Sequence, residues 1–359
     1  MIKRNMSVNI VTYPRLHFGF LDLGGNTKSS LGGIGVTINK FNTRINIKKN
    51  ISININAPAR LHFGFLDLGG NTQNALGAIG VAINKFNTIV NIKKNHELAI
   101  TGNVSNKALN FVKIFCKKNK IKSNYLINIE KTIPEHIGLG SGTQLALSIG
   151  TAISKLNNLS LSTSEIGKIL DRGKRSKIGI KSFSNGGFLI DLGIKNKFFP
   201  NFKQLKFPNE WKILLIQNNN KGLYGAKEQQ AFKMLQKSNK ISLHHLALMQ
   251  IYPALLKRNF KDFSKSITKI QNSMGKYFCS MQGGKYSNNI ISKIINFIKK
   301  EKILGYGQTS WGPTGFAFLP NPQKAKKIKH KLEKKFSNCN DLQFIICSGK
   351  NIGATIKIK

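Results

Sequence analysis

Residues Pro134 to Thr143 read Pro-Glu-His-Ile-Gly-Leu-Gly-Ser-Gly-Thr, and Leu145, Ile149, Ile153 and Leu156 follow at helical spacing. Just upstream, Tyr125 to Ile129 reads as a strand. The stretch therefore predicts a strand, a glycine turn, and a helix from Thr143 to Leu156. Gly138, Gly140 and Gly142 let backbone amides turn toward a ligand without Cβ clashes. Leu139 sits between the first two, and Ser141 and Thr143 add hydroxyls at a helix N-terminus that carries partial positive charge. This is either an anion cradle or a tight strand-to-helix connection. A Walker A loop is excluded, because Gly-Lys-[Ser/Thr] is absent.

Working outward, Asn106 to Lys118 places Leu109, Val112, Phe115 and Cys116 on one helical face. Downstream come a helix from Ser164 to Leu170, a basic loop and a strand from Phe188 to Leu192. The polar stretch Asn196 to Asn209 is the expected domain boundary. Beyond it the pattern predicts a strand at Trp211–Ile216 and helices near Ala226–Leu235, Leu243–Leu256, Phe260–Met274, Ile290–Lys300 and Lys324–Lys335. Strands near Phe316–Leu319, Phe344–Cys347 and Ala354–Ile358 complete an α+β chain.

The N-terminal region repeats itself. Residues 7–50 and 52–95 align without gaps at an offset of 45, with 32 of the 44 pairs identical. Arg-Leu-His-Phe-Gly-Phe-Leu-Asp stands at Arg15 and again at Arg60. Each unit reads as strand, glycine turn, strand; two copies are too few for a solenoid. Copy two meets the following sequence in register and is expected to hold the native strand positions. Copy one, residues 1–51, is then an appended hairpin.

The 359 residues are enough for about two domains. The formal charge is +43, but only seven of the 57 basic residues are Arg. Lys, Asn and Ile share A/T-rich codons, so the charge reads as compositional drift more than as a nucleic-acid surface; the few Arg and Asp inside motifs are the informative ones. The four cysteines show neither Cys-x-x-Cys nor Cys/His ligand spacing, which fits a reducing, cytoplasmic setting. No run approaches the ~18 apolar residues of a membrane span.

Other stretches carry candidate chemistry. Arg172, Lys174 and Arg175 form either a fork for phosphate or carboxylate oxygens or a basic helix C-terminus. Asp191 ends a strand beside glycines. Gly307 to Gly315 sets Gln308, Ser310 and Trp311 in a polar loop suited to closing on a ligand, with Trp311 equally able to act as a packing anchor. In copy two, Arg60 and His62 share a strand face and Asp67 comes at the glycine turn. A lone strand histidine more often has a structural role, and no nucleophile-elbow serine accompanies it.

In order along the chain, Ala-Pro-Ala-Arg-Leu-His-Phe-Gly-Phe-Leu-Asp (57–67), Gly-Leu-Gly-Ser-Gly-Thr-Gln (138–144), Arg-Gly-Lys-Arg-Ser-Lys-Ile-Gly (172–179), Gly-Gly-Phe-Leu-Ile-Asp (186–191) and Gly-Gln-Thr-Ser-Trp-Gly-Pro-Thr (307–314) resemble the beta-ribofuranosylaminobenzene 5′-phosphate synthase family of the GHMP-kinase superfamily. The resemblance implies a two-domain GHMP-kinase-like fold over 52–200 and 201–359, with the duplicated segment extra. It implies condensation of phosphoribosyl pyrophosphate with 4-hydroxybenzoate or 4-aminobenzoate, releasing CO2 and pyrophosphate, in tetrahydromethanopterin synthesis. Mg²⁺ is the implied cofactor and a homodimer the implied assembly. Under this resemblance Gly138 to Thr143 would hold pyrophosphate, and Arg60, Arg172 and Arg175 would bind phosphate or carboxylate. Asp67 or Asp191 would stabilise charge or hold the metal, and Gln308, Ser310 and Trp311 would line the aromatic pocket. A GHMP-type kinase using ATP and a basic nucleic-acid-binding protein are the alternatives.

Overall fold

A computed structural model of the chain describes residues 7–20, 33–38, 40, 43–48, 51–68, 76–193, 202–218, 241–309 and 312–359. The expected helix at Ala226–Leu235 and the residues Ser310 and Trp311 lie outside these. The chain divides into two units, Met1–Ile51 and Ser52–Lys359.

The first unit contains β1 (Ser7–Thr12), β2 (Arg15–Phe20), β3 (Gly33–Thr37) and β4 (Thr43–Lys48), with β1 paired to β4 and β2 to β3. In the second unit, copy two forms β5 (Ser52–Phe65), the short β6 (Asp67–Leu68) and β7 (Ala78–Lys94). The two copies share one register: Ser7 faces Lys48 as Ser52 faces Lys93, and Arg15 faces Thr37 as Arg60 faces Ala82. Even the bulge is repeated, after His17 and after His62. Burial differs. Ile10, Leu16 and Val36 are 40%, 51% and 46% exposed, whereas their counterparts Ile55, Leu61 and Val81 are fully buried. Strand pattern is local to the repeat; burial comes from what the remaining chain packs on it.

After β7 the second unit continues through β8 (Ala99–Gly102), α1 (Ser105–Asn119), β9 (Tyr125–Lys131), α2 (Ser141–Leu156), α3 (Thr163–Ile169), α4 (Ile178–Ser184), β10 (Phe188–Asp191) and β11 (Phe202–Leu205). Then come β12 (Lys212–Gln217), β13 (Ile241–Ser242), a π-helical turn at Leu246–Ile251, α5 (Tyr252–Leu256), α6 (Phe260–Gln282) and α7 (Asn289–Lys300). Finally there are β14 (Tyr306–Gln308), β15 (Gly315–Leu319), α8 (Pro322–Lys335), β16 (Gln343–Cys347) and β17 (Thr355–Ile358). One sheet of seven strands has the path β11-β10-β7-β5-β17, with β9 on β7 and β8 on β9; a second, of four strands, runs β14-β15-β12-β16.

From Ala57 onward every position of β5 except Arg60 is buried, rather than alternate ones. Helices α2, α4 and α6 all pack on it. A strand covered on both faces loses the period-2 signal. That is why the sequence shows each repeat as strand, glycine turn, strand without revealing the full length of β5 and β7. The same core ignores the boundary expected near residue 200. The Phe63 ring lies 5.9 Å from Phe188 and 5.2 and 5.5 Å from Phe316 and Phe318 of the later half. Moreover, β11 and β17 complete the sheet begun by β5. The later sequence thus supplies two strands of the first sheet.

Candidate anion-binding site

The glycine turn is built as its sequence requires. Gly138 and Gly140 have φ of +80° and +87°, a region that side-chain-bearing residues avoid. Gly140 opens α2, accepting from the Thr143 and Gln144 N–H groups at 3.2 and 3.1 Å. No side chain caps this helix and no acid stands in its first turn, so its partial positive charge is not offset from within the helix.

Cationic side chains gather there from three elements. Arg60 on β5 donates from Nη1 to the Gly138 carbonyl at 2.7 Å, its backbone N–H donates to Leu139 O at 3.1 Å, and its side chain lies against Gly140. Arg172 Nη1, from the loop after α3, and Lys107 Nζ, from α1, each come within 3.9 Å of where a Cβ on Gly142 would stand. Arg172 is stacked 5.0 Å over the Phe111 ring, its Nε is buried without a hydrogen-bond partner, and burial lowers its pKa from the ordinary value. Lys107 is paired with Glu135 at 2.5 Å, both about one-third exposed. The loop expected to close on a ligand packs beneath the same turn. Thr314 Oγ1 donates to the Ile137 carbonyl at 2.7 Å, and Gly312 and the buried Thr309 press against Gly138.

Beside Arg60 stands His62, 4% exposed. The bulge after it turns the Gly64 N–H onto its Nδ1 at 3.3 Å, while Nε2 lies 3.3 Å from Ser176 Oγ. Burial, followed by the Arg60 charge, pushes its pKa down to about 3, so the ring is neutral at physiological pH.

Of the expected residues, Arg60, Gly138–Thr143 and Arg172 are brought together. Arg175 lies on the same loop as Arg172. Asp191 is 1% exposed, with Oδ2 accepting from Lys177 N at 2.9 Å and Oδ1 from Gly193 N at 3.2 Å. It thereby anchors the start of α4, a short helix that the sequence reading takes for loop. Asp67 lies in β6 opposite Ser242 of β13, on a strand separate from the one that carries Arg60. Gln308 spends its amide inside the protein, accepting from Ser287 N at 2.8 Å and donating to Gln282 Oε1 at 2.9 Å. The cavity at Gln308, between Phe63, Phe278 and Tyr286, measures about 10 Å³, room for a water and too small for an aromatic ring. The sequence reading missed Lys107, one lysine among many; Ser176 stands inside the 172–179 motif but is given no role by it.

Among the described residues no group of three or more His, Cys, Asp or Glu gathers, and no helix is long and apolar enough to cross a membrane.

Residues 103–187 match the GHMP kinases N terminal domain and residues 251–338 the GHMP kinases C terminal domain. A homoserine kinase from Cytophaga hutchinsonii has the same fold, with a TM-score of 0.61 at 16% identity over 85% of this chain and 97% of that one. Both matches are to the GHMP-kinase superfamily, to which this chain is similar in its earlier and later halves. Within it, the similarity is to proteins called beta-ribofuranosylphenol 5′-phosphate synthase. It is 35% identical to the one from Methanocaldococcus jannaschii over 214 residues, covering 54% of this chain. It is 34% identical to that from Archaeoglobus fulgidus over 165 residues, covering 40%. The matches span 62% and 51% of those relatives' lengths.

Proposed function

We propose that this chain is a pentosyltransferase that joins phosphoribosyl pyrophosphate to a para-substituted benzoate, releasing pyrophosphate and CO2, in tetrahydromethanopterin synthesis. The observation that carries the reading is the convergence of Arg60, Arg172 and Lys107 on the uncapped N-terminus of α2. Three cations and oriented N–H groups suit a leaving group of several negative charges. The phenol in the names of the relatives favours 4-hydroxybenzoate over 4-aminobenzoate.

The bond between C1 of the ribose and the pyrophosphate oxygen breaks, and the ring carbon that bears the carboxylate forms the new C–C bond. The bond to the carboxylate then breaks, its electron pair restoring the ring, and CO2 departs. Arg60, Arg172 and Lys107 stabilise the pyrophosphate as charge develops on it. Arg175 is proposed for the 5-phosphate, and Ser310 and Trp311 for the aromatic ring. With both Asp191 oxygens engaged by N–H groups, Asp67 is the carboxylate proposed to face the ribosyl cation.

The described residues do not fit a protein-built Mg²⁺ site, which needs oxygen ligands gathered around one point. Mg²⁺ is proposed to arrive on the pyrophosphate of the substrate, and no step is assigned to it. All four cysteines are free thiols, which suits the proposed cytoplasmic setting. A homodimer is proposed, and nucleic acid is not assigned a role. Residues 1–51 are proposed to be a dispensable duplicate of the strands that copy two already supplies. The test is pyrophosphate release from phosphoribosyl pyrophosphate that depends on added 4-hydroxybenzoate. ADP formation from ATP without pyrophosphate release would favour a kinase instead.

A further inference from the structure

The tautomer of His62 is set by its surroundings. The Gly64 N–H can only donate, so Nδ1 is the acceptor and the ring proton sits on Nε2. Nε2–H therefore donates to Ser176 Oγ. The same oxygen also accepts from the Ile178 backbone N–H at 3.2 Å. Both lone pairs of the hydroxyl are thus engaged by donors, and its own proton is left to point elsewhere. A histidine that donates to the serine cannot take its proton, which removes Ser–His nucleophilic chemistry.

The placement says where that proton is useful. Ser176 is partly exposed and lies on the loop that carries Arg172 and Arg175. His62, which holds it, is two residues from Arg60 on β5. The hydroxyl is thus tied to the anion cradle through its own loop and through the strand of Arg60.

We propose that Ser176 is a further substrate-binding residue of this site, donating its hydroxyl hydrogen bond to an anionic oxygen of phosphoribosyl pyrophosphate, and that His62 is the residue positioning it. This rests on the synthase reading above and adds to it a neutral donor that the charged residues do not supply. Accepting two hydrogen bonds polarises the O–H and strengthens its donation. A hydrogen bond to a charged group contributes about 1.5–3 kcal/mol, or roughly 10- to 150-fold in affinity.

The experiment measures binding of inorganic pyrophosphate and of ribose 5-phosphate by calorimetry, with KM and kcat for both substrates, in five proteins: wild type, Ser176→Ala, Ser176→Thr, His62→Phe and His62→Gln. Ser176→Ala is expected to weaken one of the two anions at least 10-fold, which identifies the end of the substrate that Ser176 contacts. It raises KM for phosphoribosyl pyrophosphate and leaves KM for 4-hydroxybenzoate alone. Ser176→Thr restores binding. His62→Phe reproduces the Ser176→Ala loss, and His62→Gln, whose amide N–H can replace Nε2–H, recovers most of it. Wild-type affinity for both anions in Ser176→Ala overturns the proposal, as does failure of His62→Gln to improve on His62→Phe. Ser176-dependent anion binding without any turnover overturns the synthase reading and leaves the Ser176 assignment standing.

Discussion

Acidification should destabilise this protein through His62 specifically. The ring is buried and accepts the Gly64 N–H at Nδ1, so the native state resists a second proton. Its pKa is pushed down to about 3 when folded and returns to 6.5 when the chain unfolds. Between those values the unfolded state binds more protons, so stability rises with pH. The contribution is complete above pH ~6.5 and is lost as pH falls toward 3. At 1.36 kcal/mol per unit, the loss is about 2 kcal/mol at pH 5 and about 3 kcal/mol at pH 4. The assay is denaturant unfolding of wild type and His62→Gln at pH 7, 5 and 4. Carboxylates titrate in both proteins, so the difference between their pH slopes isolates the histidine. His62→Gln should lose about 2 kcal/mol less than wild type between pH 7 and 5. Parallel slopes would refute the buried, neutral histidine and with it the tautomer assigned to the Ser176 contact.

Three further outcomes follow from the same geometry. Arg60→Ala should lower kcat/KM for phosphoribosyl pyrophosphate roughly 10- to 100-fold, with Arg60→Lys a poor rescue because a single ammonium cannot both hold the Gly138 carbonyl and present a fork to a phosphate; an unchanged kcat/KM would remove Arg60 from the site. Gly138→Ala should cost at least about 2 kcal/mol in unfolding, since it forces a side-chain-bearing residue to a φ of +80° and drives its Cβ onto Thr309; wild-type stability would contradict that packing. Deleting residues 7–51 should leave the unfolding midpoint and turnover unchanged, and loss of both would mean that copy one, not copy two, is the functional pair of strands.

What the sequence disclosed and what it hid have physical causes. The glycine turn, Arg60 and Arg172 were legible because glycines at alternate positions and rare arginines stand out in a lysine-rich chain. Their meeting was not, since Arg60 and Gly138 stand 78 residues apart and no local pattern encodes the hydrogen bond between them. Lys107 offered no signal, as nothing local separates it from the other lysines. Asp191 looked like a ligand because acids at strand ends often are; its backbone partners at Lys177 and Gly193 are fixed by a turn that periodicity does not resolve. Gln308 was placed in the right loop, but the inward side of that loop is hydrogen-bonded protein rather than open pocket. The N- and C-terminal domain matches fall on either side of residue 200, and what the sequence hides is that β17, at the far end of the chain, returns to pair with β5.

The most direct measurement of the central claim is the fate of the carboxyl carbon. The purified chain is incubated with phosphoribosyl pyrophosphate and carboxyl-labelled 4-hydroxybenzoate, without ATP, and labelled CO2 and pyrophosphate are counted together. The account predicts one CO2 and one pyrophosphate per ribosylated product. Label retained in the aromatic compound, or no reaction until ATP is added, would contradict it.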